Sequence, residues 1–403
     1  MDRVTDIAIV GAGAAGLWAA GVCAASGRQT LVLEKTPRTG TKVLASGGSR
    51  CNLTTTLGPR AASQLFGPAG ARFLSPAFGN LPPAAVRERF HALGVPTKTE
   101  PLFEKVFPAS DSARDVRNAL LSRAQGAGAE ILTERPVRHV APVEGGWSLS
   151  TGSMTVRCRA LLLCPGGKSV PRSGTTGDGY AWLRSLGLKV VDPVPALVPL
   201  RSAEAWVTAL TGLTVDAEVR VGKIRRRRPV LFTHKGLSGP GAMDLSVHMA
   251  RGASVLHLDL LPDLSWEALR EQLIAAGARK GAPGLVRVLP LQRRLVEAVA
   301  LQAGLTNGNP RISDLTRTQR HRLVETIKSL AIPISGTTGF KAAEVTAGGL
   351  ALGEVDRKTM EVRSHPGLYV FGELLDVAGP IGGLNFQAAF ATAELAAIHA
   401  SRG

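Results

Sequence analysis

Apolar positions along this chain follow two rhythms. Short unbroken runs at 6–10, 30–33, 160–164 and 367–371 have the length of buried strands, and most break straight into glycine or an acid. Residues 17–26 and 388–399 instead carry the Ala-rich spacing of helices. Between these sets the pattern changes. Residues 191–262 alternate and turn like a small β-barrel, whereas 263–334 carry helical runs at 266–276 and 316–329. The expected architecture is α/β, with a Rossmann-type domain interrupted by an inserted module. Its predicted parts are 1–190, an inserted barrel at 191–262, an inserted helical module at 263–334, and a returning segment at 335–403.

The first strand runs directly into Gly11-Ala12-Gly13-Ala14-Ala15-Gly16, and the second ends at Glu34. In a strand–turn–helix–strand–acid unit each residue type has a physical task. Gly11 permits the tight turn, Gly13 lets the backbone approach a pyrophosphate, and Gly16 lets the helix pack against the strand. The helix start offers unpaired N–H groups and the positive end of its dipole to the phosphates. Glu34, followed by Lys35, is placed to accept from ribose hydroxyls, and an acid there disfavours a 2′-phosphate. A dinucleotide is predicted, with FAD and NAD both open at this point.

Three distant segments favour FAD, a long ligand needing contacts far along the chain. The first, residues 38–52, combines flexible Gly47 and Gly48 with Lys42, Ser46, Arg50 and Asn52. The second is the strand that breaks into Gly166 and Gly167. The third ends in Gly372-Glu373, where an acid can bind the ribityl chain, and continues to Asp376 and Gly382-Gly383-Leu384-Asn385-Phe386. A helix opening there would aim its positive end at the flavin pyrimidine. No second Gly-x-Gly-x-x-Gly unit occurs, so NAD(P)H is expected only as a transient electron donor.

Charge adds a second theme. With 48 Lys and Arg against 31 Asp and Glu, the formal charge of +17 favours contact with polyanions, RNA foremost, unless a basic composition is merely spread evenly. The densest run is Lys223-Ile224-Arg225-Arg226-Arg227-Arg228, expected on a hairpin where it could grip phosphates. Few aromatics accompany it, so base stacking is not implied. Cys23, Cys51, Cys158 and Cys164 form no C-x-x-C pair and no metal-type spacing with histidine. No metal is expected, and reduced thiols fit a cytoplasmic protein. No apolar run is long enough for a signal sequence or a bilayer span, so no membrane partner is expected. Oligomeric state is not readable.

The motifs SGGSRCNLT at 46–54, LFTHKGLSGP at 231–240, GTTGFKAAEVTAGGLALGEVDRKTME at 336–361 and GLYVFGELLDVAGPIGGLNFQAAF at 367–390 carry a specific likeness. In these the chain resembles the YhiN-like and BaiN-like flavoproteins, a bacterial group that includes aminoacetone oxidase, a bile-acid enzyme and a ribosomal RNA dihydrouridine synthase. The resemblance implies a discontinuous FAD domain and an oxidoreductase. It implies as FAD neighbours Gly11, Gly13, Gly16, Glu34, Lys42, Gly47, Gly48, Arg50, Gly166, Gly372, Glu373 and Asn385. Ala14, Ala15 and Val137 are further expected neighbours. Pro380 and Leu384 stand where relatives commonly carry aromatic residues, which points to altered surroundings for a substrate. Two residues are candidate proton donors. Cys51 lies in the loop expected near the isoalloxazine, and His234, within the second motif, titrates near neutrality. Reduction of uridine in ribosomal RNA is the most concrete expected activity. The alternatives are a small-molecule amine oxidase or enone reductase, and a non-catalytic flavin-containing RNA-binding factor.

Overall fold

The computed structural model describes residues 2–402. The chain forms two compact units, one containing the residues up to Pro195 and again from Phe340, the other Ala196–Gly339.

The first unit is built on a seven-stranded sheet. Its path runs Glu130–Leu132, Thr30–Leu33, Asp2–Val10, Thr155–Leu163, Gly146–Ser150 and His139–Val143, with Leu368–Val370 also paired to Thr155–Leu163. Asp2–Val10 lies parallel to both neighbours, Ile7 facing Thr30 on one side and Ala160 on the other. Inner parallel strands are covered on both faces, which explains why Thr30–Leu33 is buried at every position. Thr155–Leu163 is shared: its first half pairs antiparallel with Gly146–Ser150, its last residues parallel with Leu368–Val370.

The predicted elements of this unit are present, with shifted ends. The first strand begins at Asp2 rather than 6, the helix after the glycine turn spans Ala14–Ala25, and the last helix spans Leu384–Arg402. That last helix packs against Ala14–Ala25 in an aromatic core where Trp18, Phe90 and Phe390 are fully buried. The Trp18 and Phe390 ring centroids are 4.7 Å apart.

The second unit holds an antiparallel seven-stranded sheet. Its path runs from Leu330–Pro333 through Val255–Asp259, Thr214–Val221, Ile224–Thr233, Gly236–Ser238 and Leu200–Arg201 to Gly336–Thr337. Sequence reading separates a barrel from a helical module, whereas here both share one core: Leu269, Leu273, Val299 and Leu323 cluster with Phe232, Leu256 and Leu258. The reason is topological. The helices Trp266–Gly277, Arg293–Gln302 and Arg317–Lys328 each have an apolar face to bury, and the strand after them returns to pair with Val255–Asp259. Thr316 caps the third helix in a capping box with Gln319.

Candidate functional site

In the first unit the glycine turn shows how tightly it is built. Gly11 has φ +105°, and a Cβ there would lie 2.7 Å from the Cys164 carbonyl oxygen. A Cβ on Gly16 would lie 1.8 Å from the Gly11 carbonyl oxygen, so only glycine lets the helix sit this close to the turn. Gly13 is different, because a Cβ there would meet nothing within 4 Å. It is the N-cap of the helix Ala14–Ala25 and supplies no capping side chain, so the first-turn N–H groups look outward without a side-chain acceptor. Close packing on one side and an open, positively polarised backbone on the other suit a pyrophosphate.

Glu34 is held in place beside this turn. Its Oε2 accepts from the Ala12 N–H at 2.8 Å, and its Oε1 accepts from the Thr36 N–H at 2.8 Å and the Thr36 hydroxyl at 2.7 Å. Three of the carboxylate's roughly four lone-pair sites are thus used, leaving one direction for a ribose hydroxyl. The Arg135 N–H donates to the Glu34 carbonyl at 2.9 Å, which draws the segment carrying Val137 alongside.

A second cluster assembles from segments far apart in sequence. The Lys42 ammonium pairs with Glu373 Oε2 and donates to the Ser169 hydroxyl at 2.6 Å. Glu373 Oε1 accepts from the Thr346 N–H and the Ser169 hydroxyl, both at 2.8 Å. Thr346 Oγ1 in turn accepts from the N–H groups of Lys168 and Ser169, and a Cβ on Gly167 would strike it at 2.3 Å. Lys42 and Glu373 keep about a fifth of their side-chain surface exposed, 23% and 20%, so this ion pair presents an oriented edge to a ligand. Gly372 takes φ +68° and donates its N–H to Thr392 Oγ1 at 3.2 Å, and Asp376 Oδ1 accepts from the Gly348 N–H. Sequence reasoning missed Ser169 and Thr346. Both are fully buried polar residues, and Thr346 interrupts the otherwise apolar Val345–Leu350 strand, which is the signal that could have found it.

Several expected neighbours have other employment. Cys51 is fully buried, with φ +61°, and burial pushes its thiol up to about 12. Among the described residues Cys51 thus sits as a small apolar side chain in the core, without the exposed surface expected of a proton donor. Arg50 lies over the Phe107 ring at 4.1 Å and pairs with Glu100 and Asp111, which hold its guanidinium charged and turned to them. Lys35 pairs with Asp178 at 2.6 Å. Asn52 accepts from the Val106 N–H, and a Cβ on Gly383 would lie 2.8 Å from its Oδ1. The Asn385 amide exchanges two hydrogen bonds of 2.9 Å with the Gly379 backbone, closing the loop before the last helix. Ser46 donates to the Val43 carbonyl. Gly47 and Gly48 are exposed in left-handed conformations, Gly166 is half-buried with φ +82°, Gly382 is buried with φ +141°, and Phe386 stacks obliquely on Phe390. Pro380 and Leu384 are both buried, so the departure from the aromatic pattern falls in the core.

All four cysteines are buried and unbridged, and burial raises every thiol, Cys23, Cys51 and Cys158 to about 12. The native protein at pH 8 should therefore give no rapidly reacting thiol with an aromatic disulfide reagent, and four equivalents after denaturation; one fast native equivalent would contradict this burial. No cluster of potential metal ligands occurs among the described residues.

In the second unit, His234 is exposed on the turn between Ile224–Thr233 and Gly236–Ser238. The basic hairpin is present, turning at Gly222-Lys223, but strand alternation splits the arginines between two faces. Arg225 pairs with Glu218, Arg227 with Asp216 and Asp263, and Arg228 with the fully buried Asp244. Of the expected basic run, Arg225, Arg227 and Arg228 thus have carboxylate partners, whereas Lys223 and Arg226 have no ion pair among the described residues.

Residues 5–399 match the family described as HI0933-like protein Rossmann domain, and the chain belongs to that family. It is 31% identical over 403 residues to a ribosomal RNA dihydrouridine synthase of Escherichia coli (strain K12), covering 98% of this chain and 97% of the relative. It is 30% identical over 406 residues to a 3-dehydro-bile acid delta(4,6)-reductase of Clostridium scindens, covering 97% of each. Among solved structures, the fold is similar to a 3-ketosteroid-delta4-(5alpha)-dehydrogenase from Rhodococcus jostii RHA1, with a TM-score of 0.55 at 15% identity, covering 100% of this chain and 97% of that one. The protein is an FAD-dependent oxidoreductase with a Rossmann-type FAD domain. No described helix is long and apolar enough to cross a membrane.

Proposed function

We propose that this protein uses its FAD to reduce a carbon–carbon double bond conjugated to a carbonyl, with uridine in ribosomal RNA as the substrate and NAD(P)H as the transient reductant. The observation that carries the reading is the match of nearly the whole chain to a ribosomal RNA dihydrouridine synthase and to a delta(4,6)-reductase. The two names share one reaction type, because uracil and the delta-4 steroid system each place the double bond beside a carbonyl.

Bound FAD supplies hydride chemistry. The chain's own part is to hold and orient. The turn at Gly11, Gly13 and Gly16 takes the pyrophosphate on the helix N-terminus, Glu34 takes the adenosine ribose, and the Lys42–Glu373 pair fixes the ribityl side. His234 is the proposed proton donor. Its replacement by asparagine should slow product formation about 100-fold or more while leaving flavin bleaching by NADPH unchanged; equal loss in both steps would remove it from that role.

The reading is tested by incubating the purified holoprotein with NADH or NADPH and a ribosomal RNA transcript, then measuring dihydrouridine by mass spectrometry. Stoichiometric dihydrouridine is the expected result. Peroxide release with amines, and no dihydrouridine, would replace the reading with an amine oxidase. A flavin that neither nicotinamide bleaches would leave a non-catalytic RNA-binding factor.

A further inference from the structure

Three hairpin arginines pair with carboxylates, and a second concentration of positive charge lies elsewhere in the same unit. Residues 278–324 contain nine Lys and Arg against two acids, a net +7 in 47 of 403 residues. Part of that charge is engaged: Arg293 pairs with Glu297, Arg294 donates to the carbonyls of Ala209 and Thr211, and Arg320 donates to the Leu315 carbonyl. Arg279, Lys280, Arg287, Arg311, Arg317 and Arg322 are exposed and have no ion pair among the described residues.

The fold gathers the first four. The Leu285 N–H donates to the Pro310 carbonyl, the Ile312 N–H to the Pro283 carbonyl, and Gly284 bridges Arg311, so two loops run side by side. A Cβ on Gly277, two residues before Arg279, would lie 3.2 Å from Ile312, which brings the end of Trp266–Gly277 to the same place. Asn309 Oδ1 accepts from the Val286 N–H at 3.0 Å and pins the two loops together. The result is a hydrogen-bonded pair of loops bearing four exposed cations on long side chains. Asp314 is the one acid nearby in sequence, and its carboxylate accepts from the Ser313 hydroxyl.

We propose that this two-loop surface, rather than the hairpin, grips the phosphate backbone of structured RNA. Three guanidinium groups and one ammonium suit phosphate oxygens, and four exposed cations spread along two loops suit a folded polyanion better than a small anion. No aromatic residue lies within the two loops, 278–291 and 305–314, so the grip is on backbone and shape and not on stacked bases. The inference rests on the RNA reading of the flavin site, and names where that substrate is held.

The test compares holoprotein with Arg279→Ala/Lys280→Ala/Arg287→Ala/Arg311→Ala, and with the hairpin variant Arg225→Ala/Arg226→Ala, in binding to a ribosomal RNA transcript across a salt series. The loop variant should bind at least about tenfold more weakly at 0.15 M salt, and the slope of log K against log salt should fall by about 3. The hairpin variant should stay within about twofold, and the charge-preserving Arg279→Lys/Arg287→Lys/Arg311→Lys should bind like the parent. Both multiple variants must bleach with NADPH like the parent, which shows them folded and flavin-loaded. Unchanged RNA binding by the loop variant, with dihydrouridine still formed by the parent, would overturn the surface assignment alone. No RNA binding or dihydrouridine from the parent would overturn the functional reading beneath it. Binding to vesicles of phosphatidylglycerol and phosphatidylcholine, abolished by the loop variant with RNA binding untouched, would assign the surface to a membrane instead.

Discussion

Gly13→Val should give a folded protein that purifies without its yellow colour, while Gly16→Ala should give a protein that is itself unstable. The two positions are three residues apart and differ in what a Cβ would meet. At Gly13 nothing lies within 4 Å and the backbone is extended, φ −79° and ψ −166°, a conformation valine adopts freely. The added isopropyl group would fill only the open space proposed for the pyrophosphate. FAD affinity should fall at least about 100-fold, equivalent to about 2.7 kcal/mol, with the melting temperature of the apoprotein unchanged. At Gly16 the methyl group would lie 1.8 Å from a backbone oxygen and 3.1 Å from Cys164 Sγ, so the helix must shift off the sheet. A cost of about 3 kcal/mol is expected, lowering the apoprotein's melting temperature by roughly 4–6 °C. Flavin absorbance and thermal melts of the two apoproteins decide it. A Gly13→Val protein with stoichiometric flavin would disprove the assignment of that turn.

The second large effect is expected at Glu394, on the last helix and against the buried side of the helix that follows the glycine turn. Its side chain is 6% exposed and collects three donors, Trp18 Nε1 at 2.7 Å and two Arg89 nitrogens at 2.8 and 2.6 Å. Arg89 and Arg123 both lie over the Trp18 ring, at 5.5 and 5.1 Å, and Arg123 is driven toward its neutral form first by burial and then by the charge of Arg89. Glu394 is the counterion that makes this arrangement tolerable. Glu394→Ala removes it, leaves the indole N–H without its partner, and opens a gap beneath two cations. Arg89 is 39% exposed, so solvent recovers part of the loss and the expected cost is about 3 kcal/mol. Breaking the Arg3–Glu130 pair, 45% and 50% exposed, should cost under about 0.5 kcal/mol. Chemical denaturation of both variants gives the comparison; equal midpoints would mean that Glu394 carries no more than a surface pair.

What the sequence makes legible here follows from how locally each feature is constrained. The first strand, turn, helix and second strand are readable because inner parallel strands must be apolar and because Gly16 answers to a neighbour, Gly11, only five residues before it. The Lys42–Glu373 pair spans 331 positions, and its supports Ser169 and Thr346 are ordinary polar residues until the fold brings them together. Cys51 and Arg50 lie in a loop with the composition of a ligand loop, yet one is turned into the core and the other onto Phe107, Glu100 and Asp111. The arginine run misled for a physical reason that was present in the sequence. A strand points alternate residues to opposite faces, and the partner strand carries Asp216 and Glu218, which pair with Arg227 and Arg225. The scattered cations of 278–324 looked unremarkable because their gathering depends on two loops pairing.

The strand Leu368–Val370 completes the sheet, and Trp18 finds its acceptor 376 residues away. During synthesis the amino-terminal strands are therefore made long before the pieces that finish their sheet. A nascent chain ending near residue 360 exposes the edge of Thr155–Leu163 and the apolar side of Ala14–Ala25, with Glu373, the partner of Lys42, still untranslated. Contacts of such long separation form late and slowly. Completion of the sheet is thereby tied to synthesis of Leu368–Val370 and Glu373, and a chain cut before Leu368 should be an aggregation-prone product rather than a weaker enzyme.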